Sequence, residues 1–334
     1  MGEGLHLGVI GIDHGHIFGM LRNMLTAGCT CGRWWTDGPA VTERKFVEVF
    51  PELEKVSDVR VILDDPTVDM VLISAIPADR AALAIAAMEA GKDVMVDKPG
   101  CTTLAQLAAL REVQARTGRI WTVNFSERFE VPSVARAETL VEEGAIGRVI
   151  QTVNLAPHKQ NLQTRPDWYF ARARYGGILT DIGSHQIDQF LHFTGSTEVE
   201  LGHALVENTP FQDFGEVTLK GDRGHGYVRV DWFTPDGLPT WGDGRLFLLG
   251  TDGTIELRKY TDIGQPHRTD MLYLVNGSEN RRIDCADGPL PYFPRLIADV
   301  RNRTETAVSQ DHTFRTMEIA IRAQMQAEGV RDDA

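Results

Sequence analysis

Two short segments carry the residue types that acid–base chemistry on a small molecule requires. The first is Asp97-Lys98-Pro99, which ends the apolar run Val94-Met-Val96. A lysine at the carboxyl end of a parallel strand stands over the crevice in which such sheets bind ligands, and the proline sets the chain's exit. The same triplet also reads as a surface lysine in a loop. The second is Gly176-Gly-Ile-Leu-Thr-Asp181-Ile-Gly-Ser-His185-Gln-Ile-Asp188. Asp181 and His185 are four residues apart, so on one helix they share a face. Asp188, three residues on, can orient the other imidazole nitrogen, and the two glycines give the backbone room near a ligand. A helix carboxylate followed by a satisfied core histidine fits the same spacing.

A third segment is Gly11-Ile12-Asp13-His14-Gly15-His16, after the apolar run Leu7-Gly-Val-Ile. A glycine turn between a first strand and a helix is where a dinucleotide pyrophosphate sits, facing backbone N–H groups and the helix dipole. In a G-x-G-x-x-G frame only Gly11 fits; Asp13 takes the second glycine position and His16 the third. Asp13 would bring a negative charge near the pyrophosphate, and Gly15 and Gly19 can compensate by letting the helix approach the sheet. His14 and His16 with Asp13 invite a metal reading, but two close histidines make no site without ligand geometry, so no metal is expected. A phosphate or substrate contact from His16 is the better fit.

These residues need a frame, and the first half supplies strands alternating with helices. Leu7–Gly11, Met70–Ile76, Val94–Val96 and Ile120–Phe125 read as buried strands, with helices over Ala81–Ala90, capped by Gly91, and Thr102–Thr117. Arg33–Asp37 fits a second strand. This rhythm predicts an α/β domain with a doubly wound parallel sheet. The second half changes. After a helix near Gly183–Thr194 come Val228–Phe233, Leu246–Leu249, Ile255–Arg258 and Leu272–Val275, separated by turn signals, which predict a mostly antiparallel open sheet with one covered face. Val228, Val230 and Trp232 share one face. A last amphipathic helix spans about Thr313–Glu328. The domains are expected as 1–127 and 128–334.

The 334 residues suit two domains with cores of their own. A net charge of −13 argues against nucleic acid and anionic membrane surfaces as partners. No apolar run reaches the length of a membrane span, and no signal peptide is visible. Four scattered cysteines read as reduced thiols in a cytoplasmic protein.

Together these segments resemble the glucose-fructose oxidoreductase / inositol dehydrogenase (Gfo/Idh/MocA) family. The resemblance rests on the glycine turn, Asp69–Pro77, Ala90–Pro99, Asn124–Phe129, Glu143–Gly147 and the Gly176–Asp188 motif. It departs at the glycine turn, where Asp13 stands in place of a glycine, and in two further places. Asp97-Lys98-Pro99 stands where the family has Glu-Lys-Pro, and the histidine usual shortly after Pro77 is absent, with Arg80 nearby. The resemblance implies an N-terminal Rossmann domain, a C-terminal α+β domain whose open sheet makes homodimers or homotetramers, a nicotinamide cofactor and a small, hydroxylated, carbohydrate-like substrate. It places Lys98, Asp181 and His185 at the catalytic positions.

Alcohol oxidation needs hydride departure and loss of the hydroxyl proton. A neutral histidine, with an ordinary pKa of about 6.5, suits the proton step, which falls to His185. The Lys98 ammonium can stabilise the developing alkoxide, or act as base with a lowered pKa. Asp181 can accept a substrate hydroxyl hydrogen bond. Cofactor contacts are expected from Gly11, Ile12, Asp13, His14, His16, Asp37, Ser74, Ile76, Pro77, Asp97 and Lys98. Asp37 at the end of a second strand would meet a ribose 2′-OH and favour NAD; Arg33, Arg44 or Lys45 would instead meet the phosphate of NADP. Asn124, Arg128, His158, Arg165, Trp168, Asp181 and His185 are the substrate candidates. Besides a dehydrogenase, two other functions fit the motifs: a non-redox enzyme that retains NAD and oxidises a carbon transiently, and a ligand sensor without turnover.

Overall fold

The structure is a computed structural model and describes residues 4–207, 211–259 and 270–330. The chain start, Met1–Glu3, and the charged tail, Arg331–Ala334, lie outside the described residues. The chain divides into two units.

The first unit comprises Met1–Asn124, Pro166–Gly176 and Tyr292–Glu318. It begins with β1 (His6–Ile10), α1 (Ile17–Thr26), β2 (Thr30–Trp35), α2 (Glu43–Val49), β3 (Glu54–Lys55) and α3 (Arg60–Leu63). It continues through β4 (Met70–Ile73), α4 (Arg80–Glu89), β5 (Asp93–Asp97), α5 (Leu104–Thr117) and β6 (Trp121–Asn124). The six strands pair in parallel in the order β3-β2-β1-β4-β5-β6, the dinucleotide-binding arrangement. Every residue of β4, β5 and β6 is buried, as both faces of a parallel sheet require. Thr103 caps α5 by accepting from the Gln106 amide at 3.1 Å.

The outer strand β6 does not end the unit. The chain returns to it with α11 (Tyr292–Asn302) and the first half of the last helix, α12 (Gln310–Ala327). Gln310 Oε1 accepts the Trp121 amide at 3.0 Å, and the Tyr292 hydroxyl meets Thr122 Oγ1 at 2.8 Å. Arg303 forms a fork on buried Asp93, with both N···O distances 2.7 Å. Thus β6 has its edge covered, as exposed sheet edges generally must be. The division falls three residues before the expected 127/128 boundary, and two later segments rejoin the first unit.

The second unit comprises Phe125–Arg165, Gly177–Pro291 and Ile319–Ala334. Its helices are α6 (Ser126–Phe129), α7 (Pro132–Glu142), α9 (Ile178–Asp181) and α10 (Gly183–Thr194); α8 (Arg172–Tyr175) belongs to the first unit. Its strands are β7 (Val149–Pro157), β8 (Val199–Val206), β9 (Phe214–Gly221), β10 (His225–Asp231), β11 (Arg245–Gly250), β12 (Gly253–Arg258), β13 (Met271–Asn276) and β14 (Asn280–Asp284). They form one sheet, β14-β13-β12-β11-β7-β10-β9-β8, antiparallel except for β7 against β10. Val228, Val230 and Trp232 do share the covered face. That face and α7 make a core from Val134, Ala137, Leu140, Leu246, Leu248, Ile255, Leu257, Leu272 and Leu274. Each such side chain contributes about 1.5–3 kcal/mol by leaving water.

Candidate functional site

In the first unit the strand order reverses between β1 and β4, and the crevice at their carboxyl ends is where such sheets bind ligands. The chain places Gly11–His16, Ser74–Pro77, Asp97–Pro99 and Asn124 at these strand ends. Asn124 is in register with Asp97. Gly11 has φ +74°, and a Cβ there would lie 2.5 Å from the Cβ of Ala75, so no other residue fits. The turn is tied to β4 by the His14 amide, which donates to the Ser74 carbonyl at 3.1 Å; the Ser74 hydroxyl lies 3.1 Å from both the His14 carbonyl and Asp97 Oδ2 and shares its one proton between them. Gly15 faces open space and is not needed for close packing, contrary to the compensation expected of it.

Asp97 is the hub of this site. Its buried carboxylate accepts four hydrogen bonds. Oδ1 takes His16 Nδ1 at 2.8 Å; Oδ2 takes His14 Nδ1 at 2.8 Å, Arg80 Nη2 at 2.9 Å and Ser74 Oγ at 3.1 Å. Burial opposes ionisation, but Arg80, His16 and His14 outweigh it and hold Asp97 well below the usual carboxylate range. Burial pushes His14 down to about 4 against the pull of Asp97, so His14 is neutral at pH 7 with its proton on Nδ1. Each of His14, His16 and Asp97 brings one possible ligand atom within 4.8 Å of the others. The carboxylate is already saturated by donors, one of them a guanidinium, which is the chemistry of an anion clamp and not of a cation site.

Lys98 follows Asp97 directly and is 5% exposed. Asp13 is partly buried in the turn; burial pushes its pKa up to about 6, Arg80 opposes this, and Asp79 and Asp37 reinforce it. A raised carboxyl pKa means that the fold favours the neutral form. Its stability contribution is therefore present below the unfolded value near 3.8 and is lost as pH rises through about 6. Asp13→Asn is expected to stabilise the protein by about 2 kcal/mol at pH 8, after discounting for partial exposure, and to converge with wild type near pH 4. Thermal melts across this range, with a gain of roughly 4–8 °C at pH 8, check it. A gap independent of pH would contradict it.

Asp37 lies two residues beyond β2, exposed. Among the basic candidates beside it, Arg33 pairs with Asp65 at 2.8 Å, Arg44 with Glu48 at 4.0 Å, and Lys45 lies over the Phe18 ring. The fit to a nicotinamide dinucleotide rests on the strand reversal, the glycine-only position at Gly11 and the start of α1. No side chain caps that helix and no acid stands in its first turn. Ser74, Ile76, Pro77, Asp97 and Lys98 line the adjoining strand ends; Asp13, in the turn itself, works against a pyrophosphate.

Gly176, the last residue of its segment in the first unit, and Gly177, which opens the next segment of the second, have φ +93° and +88°. A Cβ on Gly177 would strike Gln324 at 2.3 Å. The room at Gly177 is taken by that side chain, whose Oε1 accepts the Leu179 amide at 2.8 Å, while Gln212 Oε1 accepts Ile178 N–H at 3.2 Å. Two glutamines thus hold the start of α9. Asp181 and His185 do not lie on one unbroken helix: α9 ends at Asp181 and α10 starts at Gly183, with Ile182 between. Both are buried, and the His185 ring lies edge-on to Phe125 at 6.3 Å. Both oxygens of Asp188 accept from Arg128 at 2.7 Å, a bidentate buried pair, and Arg128 also stacks over Phe129. This pairing ties α6 to α10 within the unit.

His158 and Arg165 come together around two tryptophans that sequence reasoning did not join to them. The Arg165 guanidinium is 4.7 Å from the Trp232 ring and 4.9 Å from the Trp241 ring. His158 lies 5.6 Å and 5.8 Å from the same rings and bonds the Ala156 carbonyl through Nδ1 at 3.0 Å. Trp168 instead belongs to the first unit, where it packs on Tyr169. Arg80, Gln212 and Gln324 carried no local sequence signal: the Gln324 bond to Leu179 spans 145 residues.

Residues 39–125 match a model described as an oxidoreductase family with an NAD-binding Rossmann fold, and residues 134–256 match the GFO/IDH/MocA C-terminal domain. The chain is similar to levoglucosan dehydrogenase of Pseudarthrobacter phenanthrenivorans, 31% identical over 66% of this chain and 60% of that enzyme. It is 29% identical to scyllo-inositol 2-dehydrogenase (NAD(+)) of Bacillus subtilis over 58% of this chain and 56% of that one. Both alignments cover less than two thirds of the relative. A crystal structure from Erwinia carotovora atroseptica SCRI1043, designated an oxidoreductase, is 41% identical and superposes with a TM-score of 0.92 over 99% of this chain and all of its own. The two domain matches follow one another along the sequence and correspond to the two sheets described above; the chain belongs to the Gfo/Idh/MocA family of oxidoreductases.

Proposed function

We propose that the protein is an NAD-dependent dehydrogenase that oxidises a secondary hydroxyl of a sugar, polyol or sugar acid. The observation that carries this reading is the buried Lys98 at the carboxyl end of β5, beside the Asp97 clamp and in the strand order that binds dinucleotides. The names of relatives support the substrate class: they act on levoglucosan, scyllo-inositol and D-xylose.

Bound NAD supplies the hydride acceptor. His185 takes the hydroxyl proton as the hydride leaves. Lys98, a cation withheld from water, stabilises the alkoxide as it develops. Asp181 accepts a hydrogen bond from a neighbouring hydroxyl and so orients the ring. His158 and Arg165, held between Trp232 and Trp241, contribute to substrate recognition, with Asn124 and Trp168 as further contacts. A screen of polyols, aldoses and sugar acids with NAD, following NADH by absorbance, tests the reading. Tightly retained NAD with no net reduction would favour transient oxidation, and absence of nucleotide binding by calorimetry would sink both.

NAD is preferred over NADP because Asp37 is the charged group just beyond β2, while Arg33 is held by Asp65. Asp37→Ser is expected to raise the KM for NAD about tenfold and to lower that for NADP; equal KM values for both cofactors in wild type would contradict this. The uncovered sheet face suits a homodimer or homotetramer. It carries a cavity of about 720 Å³ lined by Pro157, Phe214, Phe233, Leu238 and Pro239, and Phe233 is 61% exposed. Four free cysteines fit a cytoplasmic protein; burial pushes Cys31 and Cys285 up to about 12, so both stay protonated. No described helix is long and apolar enough to cross a membrane.

A further inference from the structure

Arg80 is the first residue of α4 and has no exposed surface. Nothing local favours it there. A cation at a helix N-terminus opposes the helix dipole, and a buried guanidinium is costly unless every donor is matched. Its donors are matched in an unusual way. Nε donates to the Ala75 carbonyl at 2.7 Å, just past the end of β4. Nη1 lies within reach of three consecutive carbonyls, those of Asp97 (3.0 Å), Lys98 (2.5 Å) and Pro99 (3.1 Å). Nη2 donates to the Asp97 carboxylate at 2.9 Å. One planar side chain therefore staples the ends of two neighbouring strands and gathers the main chain of residues 97–99 around itself.

We propose that Arg80 is the positioning residue of the active site: it fixes the backbone from which Lys98 projects and aims the Asp97 carboxylate at His14 and His16, without touching substrate itself. This rests on the dehydrogenase reading for its kinetic consequence but not for its structural one. Lysine cannot replace it. An ammonium gathers its three donors on one nitrogen, whereas the fork of a guanidinium spans carbonyls on both strands and a carboxylate at once. The clamp is coupled electrostatically: His14 and His16 face the Asp97 charge that Arg80 balances, and Lys98 acts on His14.

The test uses Arg80→Lys and Arg80→Ala in the full chain, assayed well below their melting temperatures. Displacing a catalytic group by about 1 Å costs on the order of 100-fold. The expected result is a kcat lowered about 100-fold, with substrate KM and the Kd for NAD each changed less than fivefold. Guanidinium ion at millimolar concentration should restore at least tenfold of the loss in Arg80→Ala, and methylammonium should not. Independently of turnover, the His14 imidazole resonance should titrate at least one pH unit higher in Arg80→Ala, because the Asp97 charge is no longer balanced. A kcat within threefold of wild type overturns the proposal, as does an unchanged His14 titration in Arg80→Ala or a loss that guanidinium does not rescue. If wild type turns over no hydroxyl compound, the dehydrogenase reading fails and the titration alone decides Arg80. Arg80→Lys keeps the cation and serves where Arg80→Ala does not fold.

Discussion

Lys98→Met is expected to lower kcat about a thousandfold while leaving the Kd for NAD within threefold of wild type. Methionine keeps the length and apolar stem of lysine and removes only the ammonium, so the backbone at the end of β5 has no reason to move. That backbone is held by Arg80 through the carbonyls of residues 97, 98 and 99. What is lost is the charge opposite the developing alkoxide. Removing one preorganised donor of this kind costs roughly 10²–10³ in kcat, and a full positive charge in a water-poor site stands at the upper end. Binding is expected to be spared because the glycine turn and the strand ends, proposed to hold the dinucleotide, do not depend on the ammonium. Steady-state kinetics and calorimetry on the same preparation separate the two quantities. A variant with near-normal kcat would remove Lys98 from the mechanism, and one that no longer binds NAD would make Lys98 a cofactor ligand first.

Asp97→Asn is expected to carry the largest stability loss of any conservative change at the site. The side chain keeps its shape but loses its charge, and its NH₂ group now meets a donor where an acceptor stood. Arg80, wholly buried, is left without a counter-ion. Breaking a buried ion pair from one side costs about 3–5 kcal/mol, whereas replacing both partners costs much less. The melting temperature should fall by about 10 °C, at roughly 2–4 °C per kcal/mol. Combining Asp97→Asn with Arg80→Met should destabilise by less than the sum of the two single changes, since the two sites share one interaction. The sign of the pH dependence follows from the depressed carboxyl pKa. The Asp97 contribution is present above the unfolded value near 3.8 and is lost only as pH falls towards its lower folded value, so the wild-type advantage should be level from pH 8 to about 4. Additive losses, or an advantage that vanishes by pH 6, would contradict the clamp.

The strands that position the site were readable because their chemistry is local. Met70-Val-Leu-Ile and Val94-Met-Val are apolar on both faces and end at Pro77 and Pro99, and the structure buries every residue of β4 and β5. The alternation at Val228–Trp232 likewise located the covered face of the second sheet. What was not readable in the sequence rests mostly on partners distant in it. The buried Arg128–Asp188 pair joins residues sixty positions apart and left no local signal. Gly177 looked like room for a ligand until Gln324 filled it. Helical spacing put Asp181 and His185 on one face, and nothing in that spacing marks the interruption at Ile182. Arg80 was the hardest to see, since an arginine after Pro-Ala-Asp reads as an exposed helix start; only the carbonyls of β4 and β5 show what it is for.

The cover over the outer strand of the first sheet has a consequence for how the chain is made. Trp121, Thr122 and Asp93 find their partners at Gln310, Tyr292 and Arg303, between 170 and 210 residues downstream. The nucleotide-binding unit is therefore among the first segments to leave the ribosome and among the last to be finished. At roughly 5–20 residues per second, β6 waits about 10–40 s for the segment ending at Glu318 to emerge. During that interval it presents Trp121 and an unpaired backbone edge to whatever is nearby. Loops this long also slow the closing step. A nascent chain of this protein is thus a customer for whatever shields exposed strands during synthesis, and the segment Tyr292–Glu318 is what releases it.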